Sequence, residues 1–168
     1  KRQVFIADTT INVNPNADQL ADIASLAADS VIRLGIKPIM AMLSYSNFGS
    51  TRDVNSKKVR EAVNLLHKRR PDLTVDGEVQ ANFAINKEAF AEKFPFSDLA
   101  NKQVNVLIFP NLESGNIAYK LMQELAGFET IGPILIGLKK TIHILQLGAS
   151  VKEIVNMTTL AVVDAHKK

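Results

Sequence analysis

The run Ser44-Tyr45-Ser46-Asn47-Phe48-Gly49-Ser50 places serine hydroxyls, an amide and a glycine directly after an apolar stretch that reads as a buried strand. A loop that leaves a strand and enters a helix is where α/β sheets bind ligands, and hydroxyls with a close backbone approach suit an anion. Ser44, Ser46 and Ser50 are the residues of choice, with Asn47 and Gly49 beside them and Arg52 as a cation for phosphate. A plain polar turn has the same composition, and the run is neither a Walker nor a dinucleotide fingerprint. Asn111, Ser114, Gly115 and Asn116 form a second candidate where a strand gives way to a helix. Free N–H groups at that helix start attract an anion, or Ser114 or Asn116 simply caps them. Asp76-Gly77-Glu78 sets two carboxylates around a glycine, as acid–base work or a metal would need, but a turn carrying surface charge is the simpler expectation. Ser150 and Glu153 have capping-box spacing, in which the carboxylate reaches back to the Ser150 N–H. His67, His143 and His166 are too scattered for a metal cluster, so no metal is expected.

These residues need a scaffold, and 168 residues at 46% hydrophobic content can bury a core in one or at most two small domains. Strands and helices alternate, which predicts a layered α/β fold. The expected strands are Val4 to Ala7, Ile39 to Leu43, Leu73 to Val75, Val104 to Ile108, Ile134 to Ile136 and Ile142 to Leu145, mostly the continuous apolar runs of buried strands. The stripe Leu20, Ile23, Ala24, Ala27, Val31 and Leu34 predicts a helix over Ala17 to Leu34, stopped by Gly35 and Pro38. Further helices are expected over Ser56 to Arg70, Lys87 to Lys93, Ser114 to Ala126 and from Ser150 to His166. Lys68, Arg69 and Arg70 then fall in a last turn, where cations favour the negative end of the helix dipole.

Zero cysteines exclude disulfides and thiolate metal sites. A net charge of +3, with scattered basic residues and no aromatic interleaving, gives no nucleic-acid footprint. No apolar run approaches the roughly 20 residues that span a bilayer, and nothing resembles a signal peptide, so a cytoplasmic location is expected. The start at Lys1, entering at once on Val4-Phe5-Ile6-Ala7, fits a piece of a longer polypeptide.

Several motifs follow the order seen in phosphate acetyltransferases. They are Ala41-Met42-Leu43-Ser44-Tyr45-Ser46, Asp76-Gly77-Glu78-Val79-Gln80, Ile108-Phe109-Pro110-Asn111-Leu112, Gly115-Asn116-Ile117-Ala118-Tyr119-Lys120-Leu121 and Gly132-Pro133-Ile134-Leu135-Ile136-Gly137-Leu138. On these the chain resembles the phosphotransacetylase family over nearly its whole length. Its finer details look like the phosphotransacetylase-like tail of the large bacterial malic enzymes: Ser44 to Ser50, His143-Ile144-Leu145-Gln146-Leu147-Gly148, and Val155-Asn156-Met157 before Ala161-Val162-Val163-Asp164-Ala165. Asn82 and Phe83 depart from the family, which tends to an acidic residue there, as does Thr141, where proline is usual.

The resemblance implies a layered α/β/α fold in which two α/β domains face each other across a cleft. Residues 1–140 would form the second domain. Residues 141–168, a strand and the C-terminal helix, would return to a first domain lying otherwise outside this chain. Moving an acetyl group between coenzyme A and phosphate needs a base, oxyanion donors and a cation. By the resemblance Gln146 stands where the family has a catalytic serine, Leu147 where it has a phosphate-binding arginine, and Glu153 where an aspartate is implicated in thiol deprotonation. Leucine cannot make the charge-assisted, bidentate contact that phosphate takes from arginine, so no catalytic residue is expected. Gln146 keeps an amide that can reach a thioester carbonyl, or else Gln146 and Leu147 only cover a strand end before Gly148.

The implied ligand is acetyl-CoA or coenzyme A, held by Ser44, Ser46, Asn47, Gly49, Ser50, Asn111 and Asn116, together with Gly132, Pro133, Gln146, Leu147 and Gly148. The implied role is an acetyl-CoA-sensing, oligomerising region of a malic enzyme whose separate catalytic domain holds NADP and a divalent metal. Two rivals remain: a working phosphate acetyltransferase in which Arg52 or a residue from elsewhere makes good the losses, and a purely structural dimerisation domain.

Overall fold

A computed structural model describes residues 3–128, 130–145 and 147–166. Local chemistry accounts for most of its elements. Strand β1 (Phe5–Ala7) leads to helix α1 (Ala17–Arg33), whose start is closed by a reciprocal box. The Asn16 side chain accepts the Gln19 N–H at 2.9 Å, and the Gln19 side chain accepts the Asn16 N–H at 3.0 Å. Of the expected stripe, α1 buries Leu20, Ala24, Ala27 and Val31, Ile23 is half-buried, and Leu34 is exposed just past the helix end at Arg33, where Gly35 at φ +80° turns the chain. Strand β2 (Ile39–Leu43) follows, then helix α2 (Val54–Arg69). That helix begins two residues before the expected Ser56, because Asp53 is the cap and accepts the Asn55 N–H at 2.8 Å.

Strand β3 (Thr74–Val79) is longer than expected and leads into a short helix α3 (Ala81–Ile85), too brief for any periodicity to announce it. Helix α4 (Lys87–Lys93), strand β4 (Val106–Ile108) and helix α5 (Leu112–Ala126) complete the series before the last helix, α6 (Val151–His166).

The strands form one parallel sheet in the order β1-β4-β2-β3, with Phe5 opposite Val106, Met40 opposite Val106 on its other side, and Ile39 opposite Thr74. Strands β1, β2 and β4 carry apolar residues without alternation, as strands covered on both faces do, whereas β3 includes Asp76 and Glu78. Ala41, Leu43 and Leu107 face a core made with Ala84, Phe90 and Phe94 from the α3–α4 side. Met40 and Met42 alternate to the opposite face, where α1 and α2 pack. Arg69 and Arg70 do more than favour the helix dipole. Arg69 pairs with Asp18 and Asp22 of α1, and Arg70 pairs with Asp29 at 3.0 Å and with Asp72 at 2.9 Å.

The chain divides into two compact units, one up to Ile117 and one from Ala118 onward. The sheet and helices α1 to α4 belong to the first. In the second, the strands expected at Ile134 to Ile136 and Ile142 to Leu145 are absent among the described residues, and the described residues between α5 and α6 are irregular. A strand exists only as a partner in a ladder, and the parallel sheet includes no residue beyond Ile108. Gly132 at φ +143° and Gly137 at φ +81° also break the run, and Ile142, Ile144 and Leu145 are exposed. The capping box at Ser150 is present as expected: the Glu153 carboxylate accepts the Ser150 N–H at 2.7 Å, and the Ser150 hydroxyl accepts the Glu153 N–H at 3.2 Å.

Candidate functional site

The C-terminal ends of parallel strands are where α/β sheets place ligands, and the loops after β1, β2 and β4 all lie on that edge. The loop after β2 carries Ser44 to Ser50, and strand β3 beside it fixes nearly every residue. The Ser44 N–H donates to the Val79 carbonyl at 3.0 Å and the Phe48 N–H to the Glu78 carbonyl at 2.8 Å. The Gln80 N–H donates to Asn47 Oδ1 at 2.8 Å, and Asn47 Nδ2 returns a bond to Gln80 Oε1 at 3.0 Å. Gln80 Nε2 adds a bond to the Tyr45 carbonyl at 2.7 Å.

Asp76-Gly77-Glu78 is therefore not the expected surface turn. It lies within β3, and Glu78 is completely buried, with 0% of its surface exposed. Its Oε1 accepts from the Ser46 hydroxyl at 2.8 Å, the Gly49 N–H at 2.9 Å and Arg60 Nη2 at 2.8 Å, while Oε2 accepts from Arg60 Nε at 3.0 Å. Burial pushes this carboxyl up, but the Arg60 guanidinium and the Gly49 and Ser46 bonds outweigh it and hold it below the usual carboxylate range. Asp76 takes the Ser97 hydroxyl instead. Gly77 is required where it stands, since a Cβ there would lie 2.6 Å from the Met42 carbonyl oxygen.

This network decides what the loop can offer. Ser46 is buried, and its hydroxyl, already given to Glu78, also accepts the Thr51 N–H at 3.1 Å. Ser44 Oγ accepts the Ser46 N–H at 3.2 Å, and Ser50 Oγ accepts the Asn47 N–H at 2.9 Å. Every backbone N–H from Ser46 to Thr51 thus has a partner within the fold. What the loop leaves at the surface is side chains, with Tyr45, Ser50 and Arg52 exposed, rather than a nest of free amides. Gly49, at φ +88°, is needed to turn its N–H onto Glu78.

At the β4–α5 junction the cap is Asn111, not Ser114 or Asn116. Asn111 Oδ1 accepts the Ser114 N–H at 2.9 Å, and Asn116 lies inside α5, where its Nδ2 donates to the Thr9 carbonyl at 3.0 Å. Gly115 lets α5 approach the first loop, because a Cβ there would meet the Asp8 carbonyl oxygen. That loop was not singled out by the sequence reading. Asp8 folds it by accepting the N–H groups of Thr10 at 2.7 Å, Ile11 at 3.0 Å and Asn12 at 2.7 Å. An aspartate followed by threonines and an asparagine just after a strand was the available signal. Lys58, likewise missed, ties two of these loops together by donating to Asn14 Oδ1 at 3.0 Å and to the Pro110 carbonyl at 2.9 Å. Partial burial holds its ammonium below the ordinary lysine range.

The remaining candidates lie in the second unit. Gly132, Leu147 and Gly148 line a cavity of about 90 Å³ with Tyr119, Gln123 and Glu153. Pro133 follows Gly132, and Gln146 lies outside the described residues. Sites for ligands of coenzyme size run to several hundred Å³, so this cavity by itself takes only a fragment of one. Leu147 stands fully exposed. Glu153 is spent on the start of α6, and the Ser150 N–H and hydroxyl hold its carboxyl below the usual range. Among the described residues no group of three acidic, histidine or cysteine side chains gathers as a metal site would need, and no helix is long and apolar enough to cross a membrane.

Comparison with known proteins agrees with this architecture. The chain is 41% identical over 165 residues to the NADP-dependent malic enzyme of Haemophilus influenzae, covering 98% of this chain and 22% of that protein. It is 43% identical over 163 residues to the Escherichia coli NADP-dependent malic enzyme, covering 21% of it. It is also 44% identical over 165 residues to the phosphate acetyltransferase of Clostridium acetobutylicum, covering 49% of it. The chain thus spans about a fifth of the malic enzymes and about half of that acetyltransferase. Among solved structures, the EutD phosphotransacetylase from Staphylococcus aureus superposes with a TM-score of 0.93 at 34% identity, over 98% of this chain and 51% of that one. A phosphotransacetylase from Streptococcus pyogenes gives 0.91 at 40% identity, over 97% and 49%. Residues 1–162 match the phosphate acetyl/butaryl transferase family, and the chain belongs to that family.

Proposed function

We propose that this chain is the acetyl-CoA-sensing and oligomerising region of an NADP-dependent malic enzyme and does not itself transfer acetyl groups. The parent polypeptide converts malate and NADP to pyruvate, carbon dioxide and NADPH in a separate catalytic domain that holds the nucleotide and a divalent metal. Acetyl-CoA bound here lowers that turnover. The observation that carries the loss of chemistry is Leu147, an apolar side chain standing in solvent where the resemblance puts the arginine for phosphate. A leucine cannot take the place of a charge-assisted, bidentate contact. Glu153 is engaged in capping rather than free to act as a base. The reading of the parent rests on the 41% to 43% identity to malic enzymes from several bacteria.

In this reading residues 141–168 belong to a first domain whose other part lies elsewhere in the parent. The exposure of Ile142, Ile144, Val151 and Val155 supports it, since such a row of apolar residues is normally covered. The 44% identity to a phosphate acetyltransferase favours an acetyl-transferring enzyme as the second reading.

An assay of the parent chain with acetyl-CoA and inorganic phosphate separates the two. Acetyl phosphate formation at the no-enzyme background is the expected result. Formation at ordinary enzyme rates, about 1 s⁻¹ or more, would reject the first reading.

A further inference from the structure

Glu78 is a buried carboxylate that none of the proposed chemistry uses. Stability alone does not explain it, because a buried ion pair is often replaceable by apolar residues at no loss. Its partners give the explanation: apart from Arg60, both side-chain bonds go to the β2–α2 loop, one to Ser46 and one to Gly49. The main chain at Glu78 holds Phe48 by the 2.8 Å bond from the Phe48 N–H, and the flanking Val79 and Gln80 hold Ser44, Asn47 and Tyr45.

Phe48 sits at φ +44°, an uncommon conformation for a bulky residue, and Gly49 follows at φ +88°. Such a pair persists only where the surroundings over-determine it. One side of that constraint is aromatic, with the Phe48 ring 4.9 Å from Phe94 and 5.1 Å from Phe96. The other is the carboxylate. Arg60 reaches Glu78 from α2 with 38% of its side chain still in water, so it can adjust to a changed partner, whereas Glu78 has no solvent to turn to.

We infer that Glu78 and Arg60 are positioning residues that lock the Ser44–Ser50 loop in a single shape presenting Tyr45, Ser50 and Arg52 to the ligand; this rests on the loop belonging to the acetyl-CoA site. The lock acts on binding because it removes the ordering a mobile loop would undergo as the ligand arrives. Glu78→Gln keeps the size of the side chain but removes its charge and forces an amide N–H₂ towards donors. Arg60→Lys keeps the charge but cannot form the two-point contact.

The test compares the parent chain with its Glu78→Gln and Arg60→Lys variants by amide hydrogen exchange and by acetyl-CoA titration calorimetry. For Glu78→Gln, exchange in residues 44–51 rises at least tenfold while β1, β4 and α1 keep wild-type protection, and acetyl-CoA binds about tenfold more weakly, a loss of the size expected for a broken charge-assisted contact. Arg60→Lys falls between wild type and Glu78→Gln in both measurements, and it carries the test if Glu78→Gln does not fold. Wild-type exchange in the loop, exchange that rises equally across the sheet, or a loosened loop with unchanged acetyl-CoA affinity would each overturn the inference. Failure of the wild-type chain itself to bind acetyl-CoA would reject the proposed function, and the exchange measurement would then decide on its own whether the pair locks the loop.

Discussion

Two residues in β3 decide the shape of the candidate site, and each makes a prediction. Gly77→Ala introduces a Cβ 2.6 Å from the Met42 carbonyl at φ +151°, a conformation that other residues rarely adopt. It should destabilise the β2–β3 pair by about 2 kcal/mol or more, read as faster amide exchange in those two strands. Glu78 gives a pH dependence. Its folded pKa lies below the ordinary carboxylate value because Arg60, Gly49 and Ser46 together outweigh burial. A depressed folded value means that the stabilisation is complete above the unfolded value and is lost as pH falls through the folded one. Protection of residues 44–51 should hold from pH 7 to about pH 5 and then decline with acid, and Glu78→Gln should abolish that decline. Asp8, Asp53, Asp72 and Glu153 are depressed as well, and Asp53 bonds to Tyr45 of this same loop, so it is the loss of the decline in Glu78→Gln that isolates Glu78. The sequence does not disclose this residue for a physical reason: an aspartate, a glycine and a glutamate in a row have turn chemistry, and Arg60, 18 positions away, turns the glutamate into a buried anchor.

At the scale of elements, legibility follows how local the forces are. Helix α1 could be read closely because its stripe and its stop lie within the helix and its flanks. The N-terminus of α2 was misplaced because Asp53, which caps it, lies outside the apolar stripe. The two late strands failed for a different reason, since Ile134 to Ile136 and Ile142 to Leu145 have the composition of strands, but pairing is a property of two segments and not of one. The start of α6 gives the corresponding test. Ser150 reads as a cap and Glu153 first as its capping-box partner and only then, by the resemblance, as the counterpart of the family's aspartate, and the bonds found are those of a capping box. Glutamine serves in that box as well as glutamate, so Glu153→Gln should leave exchange at the first turn of α6 and acetyl-CoA affinity unchanged. A fall in affinity with the helix start intact would instead give Glu153 a part in binding.

At the scale of the whole molecule, the family, the layered α/β architecture and the order of the motifs were all legible from residues such as Ser44 to Ser46 and Pro110 to Asn111, because they sit at strand ends where the sheet itself fixes their place. The arrangement of the candidate site residues was not. They are divided between a sheet unit with Ser44 to Ser50 and a unit with Gly132, Leu147 and Gly148, and the relatives are two to five times longer than the part this chain covers. Regulation of a distant malic site requires that acetyl-CoA bind two states of the parent with different affinity, a coupling of about 1–3 kcal/mol. The most direct measurement follows NADP reduction by the parent chain with malate and a divalent metal while acetyl-CoA is titrated. A saturable fall in turnover is expected, reduced in extent or shifted to higher acetyl-CoA by Gln146→Ala. Malate-dependent turnover that does not respond to acetyl-CoA at any concentration would contradict it.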